Sequence, residues 1–400
     1  MQGLGHAGWL AADYGTSVTN PPNEAWQLFR ENRPLSTYVH LDSAAAGRSS
    51  RTTLSTVAGY LERESVVGAY VAADEAQRVI TTGRTALAEL LGVDPGGIAF
   101  VESATAALSV LLRAWPLMAG STVAVLPCEW GPAVDAFTDR GLRVAQLAVD
   151  GSGLVDLDAL RQFVTITPPA FVHLDLVASH RPLVQPVSEA VAICHAAGVP
   201  VWVDAAQAVG HVDAACGADA IYATSRKWLC GPRGVGVIAV ASSWWRKLRP
   251  RASEMDRDAL GADDSPVLLL ESHEANAAGR IGLCAAVGEH VATGPQLVRE
   301  RLVAVGRLTR EALADVPGWE VVSAPDGVAG SSAITALRPT AGQKVAAVRS
   351  FLLTEHQIVT TAAVRARAPY DMKEPYLRIS PHVDVTEEEL ATLRRVLPPT

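Results

Sequence analysis

The chain has 400 residues, 49% of them hydrophobic, and a formal net charge of −8. That length and apolar content suffice to bury a large core and predict two or three structural units. The acidic balance excludes a surface built for nucleic acid or anionic membrane, and no uninterrupted apolar run reaches membrane-spanning length.

The five cysteines, at 128, 194, 216, 230 and 284, are scattered and lack CxxC spacing. Such usage fits a reducing cytoplasm and no structural zinc or other metal site. The first stretch, MQGLGHAGWLAADYG, has no basic segment leading into a continuous apolar one, so no secretory leader is expected. The expectation is a soluble cytoplasmic protein.

In chain order, residues 1–37 are rich in Gly, Asn and Pro and predict an irregular arm with a short helix near Trp26–Phe29. TYVHLDSAAAGRSS (37–50) starts like a strand and runs into small residues. Small residues let backbone N–H groups approach a ligand carboxylate, which makes Ala44 and Ala45 candidate substrate contacts; a plain tight turn is the alternative. Apolar spacing through Ala76, Val79, Ile80, Leu87, Leu90 and Leu91 predicts a helix over 74–91. Strand-like runs then appear at 98–101, 122–126, 143–149, 171–177, 201–203, 220–223 and 235–240, alternating with helical stretches. This order predicts an α/β fold: a seven-stranded, mostly parallel sheet with helices on both faces.

Beyond it, 244–266 is charged and Pro/Gly-punctuated and reads as a surface excursion. A long helix is predicted at 296–314, short strands near 319–323, 333–337, 358–361 and 376–379, and a helix at 342–354. The last helix opens at Thr386 with Glu389 three residues on, a capping-box pattern. The chain thus divides into an arm (1–37), a large domain (38–284) and a smaller C-terminal α+β domain (285–400).

The chemistry centres on VWVDAAQAVGHVDAACGADAIYATSRKWLCGPRGVG (201–236). One apolar strand ends in Asp204, and the next leads into Lys227. In an open α/β sheet both would face the crevice beyond the strand ends. An acid and an amine there suit pyridoxal phosphate: the lysine forms the Schiff base and the acid holds the pyridine nitrogen protonated. Only four lysines occur (227, 247, 344 and 373), and only Lys227 lies between a strand end and a glycine-rich turn. Glu102-Ser103-Ala104-Thr105 follows a strand and opens a helix, an ordinary N-cap on its own but, with Thr224 and Arg226, a site for a 5′-phosphate. Trp130 lies just past a strand end, placed to stack on a flat ring or to fill core. Arg378 in YLRIS is an arginine within an apolar strand, paired with a substrate carboxylate or with a structural acid. His173, His195 and His211 have no metal-ligand spacing, and the last two read as structural.

These segments, together with YVHLDSAAAG, VESATAAL and LRISPHVDVTEEEL, resemble the class V aminotransferase branch of the fold-type I pyridoxal-phosphate enzymes, which includes cysteine desulfurases. The resemblance covers about residues 38–396. It implies Lys227 as Schiff-base lysine, Asp204 as partner of the ring nitrogen and Gln207 as partner of O3′. It further implies ring stacking by Trp130, phosphate binding by Thr105, Thr224 and Arg226 beside Ala104, substrate-carboxylate binding by Arg378, and a homodimer.

Three departures matter. Desulfurases carry a cysteine on the loop before the last strand, whereas IVTTAAVRARAPYDM has none. HEANAAGRIGL lacks the Gly-Thr-Pro that relatives contribute across the dimer, and Leu176 stands where many relatives have an asparagine near O3′. Within the family, the cysteine-free loop and APYDMKEPYLRISPHVD are most similar to carbon–sulfur lyases of the ergothioneine pathway. That similarity implies β-elimination from a cysteine S-conjugate, the sulfoxide of a hercynyl cysteine. Transamination, epimerisation, desulfuration and a non-catalytic binding role are the alternatives. Cys128 and Cys230 are both close enough in sequence to site residues to need testing as thiols near the cofactor.

Overall fold

The computed structural model describes residues 22–253, 257–258, 260–261, 264–272, 274–322 and 332–399. The predicted arm over 1–21 lies outside them, as do 254–256, 259, 262 and 263 of the surface excursion and Ser323 of a predicted strand. Within the arm, helix α1 spans Pro22–Glu31, and its Trp26 packs into the main core.

The large unit runs β1 (Val39–His40), α2 (Arg51–Val67), α3 (Ala69–Leu91), β2 (Ile98–Val101), α4 (Ala104–Ala114), β3 (Thr122–Val125), α5 (Gly131–Asp139), β4 (Arg143–Gln146), α6 (Leu157–Ile166), β5 (Phe171–Asp175), α7 (Val187–Ala196), β6 (Val201–Asp204), β7 (Ala220–Thr224) and β8 (Gly236–Val240). Among the described residues, β2 to β8 form one seven-stranded sheet in the order β2-β8-β7-β6-β5-β3-β4. Five strands run parallel in sequence of pairing, while β8 is antiparallel to both β7 and β2. All seven predicted strands are present.

Alternation along the strands sorts the core into two layers. Val172, Leu174, Val203 and Ile221 face a layer with Leu87, Leu91 and Ala190 of α3 and α7. Phe171, Trp202, Ala220 and Tyr222 face the opposite layer, with Leu108 and Leu111 of α4 and Phe137 of α5. Burying each such side chain contributes about 1.5–3 kcal/mol, so both faces are committed to helices and the free C-terminal strand ends are where a ligand can sit.

Helix α8 (Ala277–Thr293) follows and runs through position 284/285, where the sequence reading divides the chain. Then come α9 (Pro295–Leu313), β9 (Trp319–Val322), β10 (Thr335–Pro339), α10 (Val345–His356), β11 (Ile358–Val359), β12 (Thr361–Ala363), β13 (Tyr376–Ile379) and α11 (Glu387–Val396). Strands β12-β13-β10-β9 form an antiparallel sheet. The predicted capping box is formed: Glu389 N–H donates to Thr386 Oγ1 at 3.2 Å, and Thr386 N–H to Glu389 Oε2 at 2.8 Å. Strand β1 pairs in parallel with β11, and Leu41 packs into the C-terminal core, so the start of the large unit is stitched to the C-terminal sheet. Among the described residues no helix is long and apolar enough to cross a membrane.

Candidate active site

Asp175, Asp204 and Thr224 are the last residues of the adjacent strands β5, β6 and β7. Register places Asp175 opposite Asp204 and Asp204 opposite Tyr222, so these side chains share one face of the sheet. Past β7 the chain makes a tight turn: Cys230 N–H donates to the Lys227 carbonyl at 3.0 Å and Gly231 N–H to the Ser225 carbonyl at 3.1 Å. The turn swings Lys227 back over the strand ends, into a cleft that Asp204 and Thr224 also line.

Every residue expected at the site lines this one cleft: Lys227, Asp204, Gln207, Thr224 and Arg226 from the central stretch, Ala104, Thr105 and Trp130 from the two preceding strand ends, and Ala44, Ala45 and Arg378 from opposite ends of the chain. Burial lowers the Lys227 pKa to about 7; Asp204 opposes the shift and Arg226, Arg378 and Arg367 add to it. Asp204 is buried and accepts the Ala206 N–H at 2.7 Å. Gln207 is fixed at both ends, accepting from Trp228 Nε1 and donating to the Ala44 carbonyl, each at 2.9 Å. One Nε2 hydrogen remains for a ligand.

Ser103 caps α4 by accepting the Ala106 N–H at 3.0 Å, which leaves the Ala104 and Thr105 end of the helix directed at the cleft. Gly236 makes that placement possible, since a Cβ there would lie 2.5 Å from the Ser103 carbonyl carbon. Ala44 and Ala45 line the wall differently from expectation. Ala44 N–H donates to Ser380 Oγ at 3.2 Å and Ala45 N–H to the Asp42 carbonyl at 2.9 Å, so both amides are already engaged within the chain.

Arg378 is fully buried, ion-paired with Asp42 at 3.1 Å, and donates to the Ser179 carbonyl at 2.8 Å. The structural-acid reading is thus present in the Asp42 pair, and Arg378 also lines the cleft. Leu176 faces away, into the core, while Asp175 and Val177 on either side of it line the cleft. Leu176, noted as a departure from relatives that carry an asparagine there, is therefore not part of the cleft wall. His195 and His211 are structural as expected: His195 pairs with Asp219 at 2.9 Å, and His211 bridges the Gln207 carbonyl and the Ala333 N–H, both at 2.8 Å. Neither Cys128 nor Cys230 is among the lining residues. Cys230, in left-handed backbone at φ 56°, lines a separate pocket with His382, Arg33 and Ser43.

The sequence reading missed Asp175, Ser179 and Arg367, which also line the cleft. Asp175 had a readable signal, since FVHLD repeats the apolar-run-then-acid pattern of VWVD. Arg367 lies in a polar loop with no periodicity, and burial followed by the charge of Arg378 lowers its pKa to about 10. That loop is held down by Asp371, which accepts from His180 Nε2 and Arg181 Nε at 2.7 Å each.

A model of the aminotransferase class V family matches residues 39–393. The chain belongs to that family. A protein from Mycobacterium tuberculosis named probable hercynylcysteine sulfoxide lyase is 43% identical over 92% of each chain. Among solved structures, this class V chain superposes on an apo cysteine desulfurase from Thermococcus onnurineus with TM-score 0.81, at 19% identity over 95% of this chain and 98% of that one. It also superposes on C-DES carrying glycine covalently linked to its pyridoxal-phosphate cofactor, with TM-score 0.81 at 19% identity over 92% and 98% of the two chains.

The cofactor of this class V chain is pyridoxal 5′-phosphate, and the cleft fits it. A half-buried amine, a buried acid, the first residues of α4 and an indole line it together. Asp175 Oδ2, Arg367 Nε and Arg378 Nε are buried around the cleft without a hydrogen-bond partner, as expected where a polar ligand completes the site.

Proposed function

We propose that this class V enzyme is a carbon–sulfur lyase that breaks the Cβ–S bond of a cysteine S-conjugate, with hercynylcysteine sulfoxide as its substrate. The observation carrying this reading is a cleft that pairs Lys227 with Asp204 and has no cysteine in its wall. The relative from M. tuberculosis supports the choice of substrate.

Bound cofactor supplies the electron sink for a carbanion at Cα. Asp204 would hold the proton on the ring nitrogen. Thr105, Thr224 and Arg226, with the α4 N-terminus, would receive the phosphate, and Trp130 would stack on the ring. Lys227 would hold the cofactor through Nζ and, as a free amine, would take the Cα proton; a pKa of about 7 suits a base at neutral pH. Arg378 and Arg367 offer positive charge to the substrate carboxylate.

Loss of the Cα proton lets the Cβ–S electron pair leave with sulfur as a sulfenate, and water then releases pyruvate and ammonia. The sulfoxide oxygen makes sulfur a good leaving group, so no enzymic thiol has to attack it. That accounts for a chain without cysteine from 285 to 400.

The active unit is a homodimer in this reading. Leu54, Leu61, Val66 and Tyr70 of α2 and α3 are 48%, 51%, 76% and 87% exposed, an apolar stretch that a second copy would cover. Sedimentation should give a dimer; a fully active monomer contradicts it.

The substrate assignment is tested by incubating holoenzyme with hercynylcysteine sulfoxide and measuring pyruvate against substrate consumed. Equal amounts are expected. A keto acid that retains sulfur, or epimerised substrate without pyruvate, overturns the lyase reading in favour of transamination or epimerisation.

A further inference from the structure

Three guanidiniums line the cleft, those of Arg226, Arg367 and Arg378, and their commitments differ. Arg378 is engaged by Asp42 at 3.1 Å and by the Ser179 carbonyl at 2.8 Å, so with Asp42 it forms a pair of zero net charge. Arg226, just past the end of β7, is taken up by the phosphate in the reading above. Arg367 has neither commitment. Its Nε is buried without a hydrogen-bond partner, and no ion pair among the described residues involves it. A charge drawn partly out of water with no counter-charge is unfavourable, and a pKa of about 10 keeps this one cationic at neutral pH.

The chain around Arg367 is built to hold it in the wall. Residues Arg365–Arg367 make one tight helical turn, closed by the Arg367 N–H donating to the Val364 carbonyl at 2.9 Å. Ala368 then turns inward and packs with Ala363 and Met372 in a small buried apolar cluster. Asp371 accepts from His180 Nε2 and Arg181 Nε at 2.7 Å each, and a Cβ at Gly131 would collide with the Ala366 carbonyl. The loop is thus clasped at Asp371 and rests on the residue that follows Trp130. Ser179, which accepts from Arg378, directly precedes His180 and Arg181. One three-residue segment therefore places both arginines, Arg378 through a carbonyl and the Arg367 loop through Asp371.

We propose that Arg367 supplies the net positive charge by which the cleft selects a ligand carboxylate, and that Asp371, clasped by His180 and Arg181, is the positioning residue that holds it there. Arg378 offers hydrogen bonds, but its charge is already cancelled by Asp42. Discrimination between a carboxylate and its neutral carboxamide falls to the unpaired cation, since only that one gains from the ligand's charge. The inference rests on the pyridoxal-phosphate site of the proposed function, not on the identity of the sulfur substrate.

The test compares L-alanine with L-alaninamide as ligands of the holoenzyme, read by the change in cofactor absorbance, with thermal melts to confirm folding. Both carry the amine and neither has a leaving group on Cβ, so the result is independent of carbon–sulfur cleavage; a protein that gives no pyruvate from sulfoxide conjugates fails the lyase reading alone. Wild type should prefer alanine. Arg367→Gln should lose about tenfold of that preference, the effect of one hydrogen bond to a charged group, while keeping its cofactor and its affinity for the amide. Arg367→Lys should recover part of the loss. Asp371→Ala and the size-preserving Asp371→Asn should lose preference in the same direction, and combining Asp371→Ala with Arg367→Gln should add nothing further. Wild-type preference in Arg367→Gln overturns the assignment, as does loss of cofactor from that variant, which would give Arg367 to the phosphate. Wild-type preference in a folded Asp371 variant overturns the clasp.

Discussion

Arg378 Nη2 stands 3.1 Å from Asp42 Oδ1, a buried pair that joins the last strand of the C-terminal sheet to the segment after β1. Asp42 also accepts from Thr361 Oγ1, at 2.8 and 2.7 Å to its two oxygens. Removing the guanidinium strands a buried carboxylate, a loss of about 3–5 kcal/mol. Arg378→Ala should therefore melt earlier and, if it has the proposed role at the substrate carboxylate, also raise KM about a hundredfold. Asp42→Asn should lower stability while leaving KM near wild type. Equal KM increases in the two variants would assign Arg378 to structure alone.

Gly47 presses against the catalytic turn. Its N–H donates to the Arg226 carbonyl at 2.7 Å, and a Cβ there would meet the Lys227 carbonyl and lie 2.6 Å from Cys230 Sγ. Neither neighbour can retreat without moving the lysine turn. Gly47→Ala should destabilise by about 1–3 kcal/mol and weaken cofactor retention, measured by dialysis and absorbance. Wild-type retention would show that the turn has slack.

The lowered Lys227 pKa sets a pH dependence. Below about 7 the amine is protonated and cannot attack the cofactor carbonyl; above it the amine is neutral. The rate of cofactor attachment to apoprotein should rise between about pH 6 and 8 and then level off. In the apoprotein the same burial is a stability cost that is fully present below about pH 7 and fades as pH rises toward the ordinary lysine value. An attachment rate still climbing near the ordinary lysine pKa contradicts this environment.

Thiol chemistry has a separate check. Cys128 is buried beside Gln185, and although its burial acts the other way, the His382 contact holds the Cys230 thiol below its ordinary pKa. Cys128→Ser and Cys230→Ser should each still release pyruvate from a cysteine sulfoxide conjugate. Sulfide formed from free cysteine and abolished by either change would make the enzyme a desulfurase.

Much of this was legible in the chain because it is local. Strand runs such as VWVD and FVHLD mark their own ends, so the seven strands and the positions of Asp204 and Lys227 could be read directly. The direction of β8 could not, since an apolar run carries no polarity. Helix α2 was missed because its described buried residues, Thr53, Thr56 and Tyr60, give no apolar periodicity. Contacts of His173 with Glu129 and Tyr222 join residues 44 and 49 positions apart, and only the sheet order brings them together.

The central claim is that Lys227 is the cofactor anchor, and borohydride reduction of the holoenzyme followed by peptide mapping tests it most directly. The phosphopyridoxyl group should be found on the peptide containing Lys227, and Lys227→Ala should take up no covalent label. Label on Lys247, Lys344 or Lys373 instead would contradict the account.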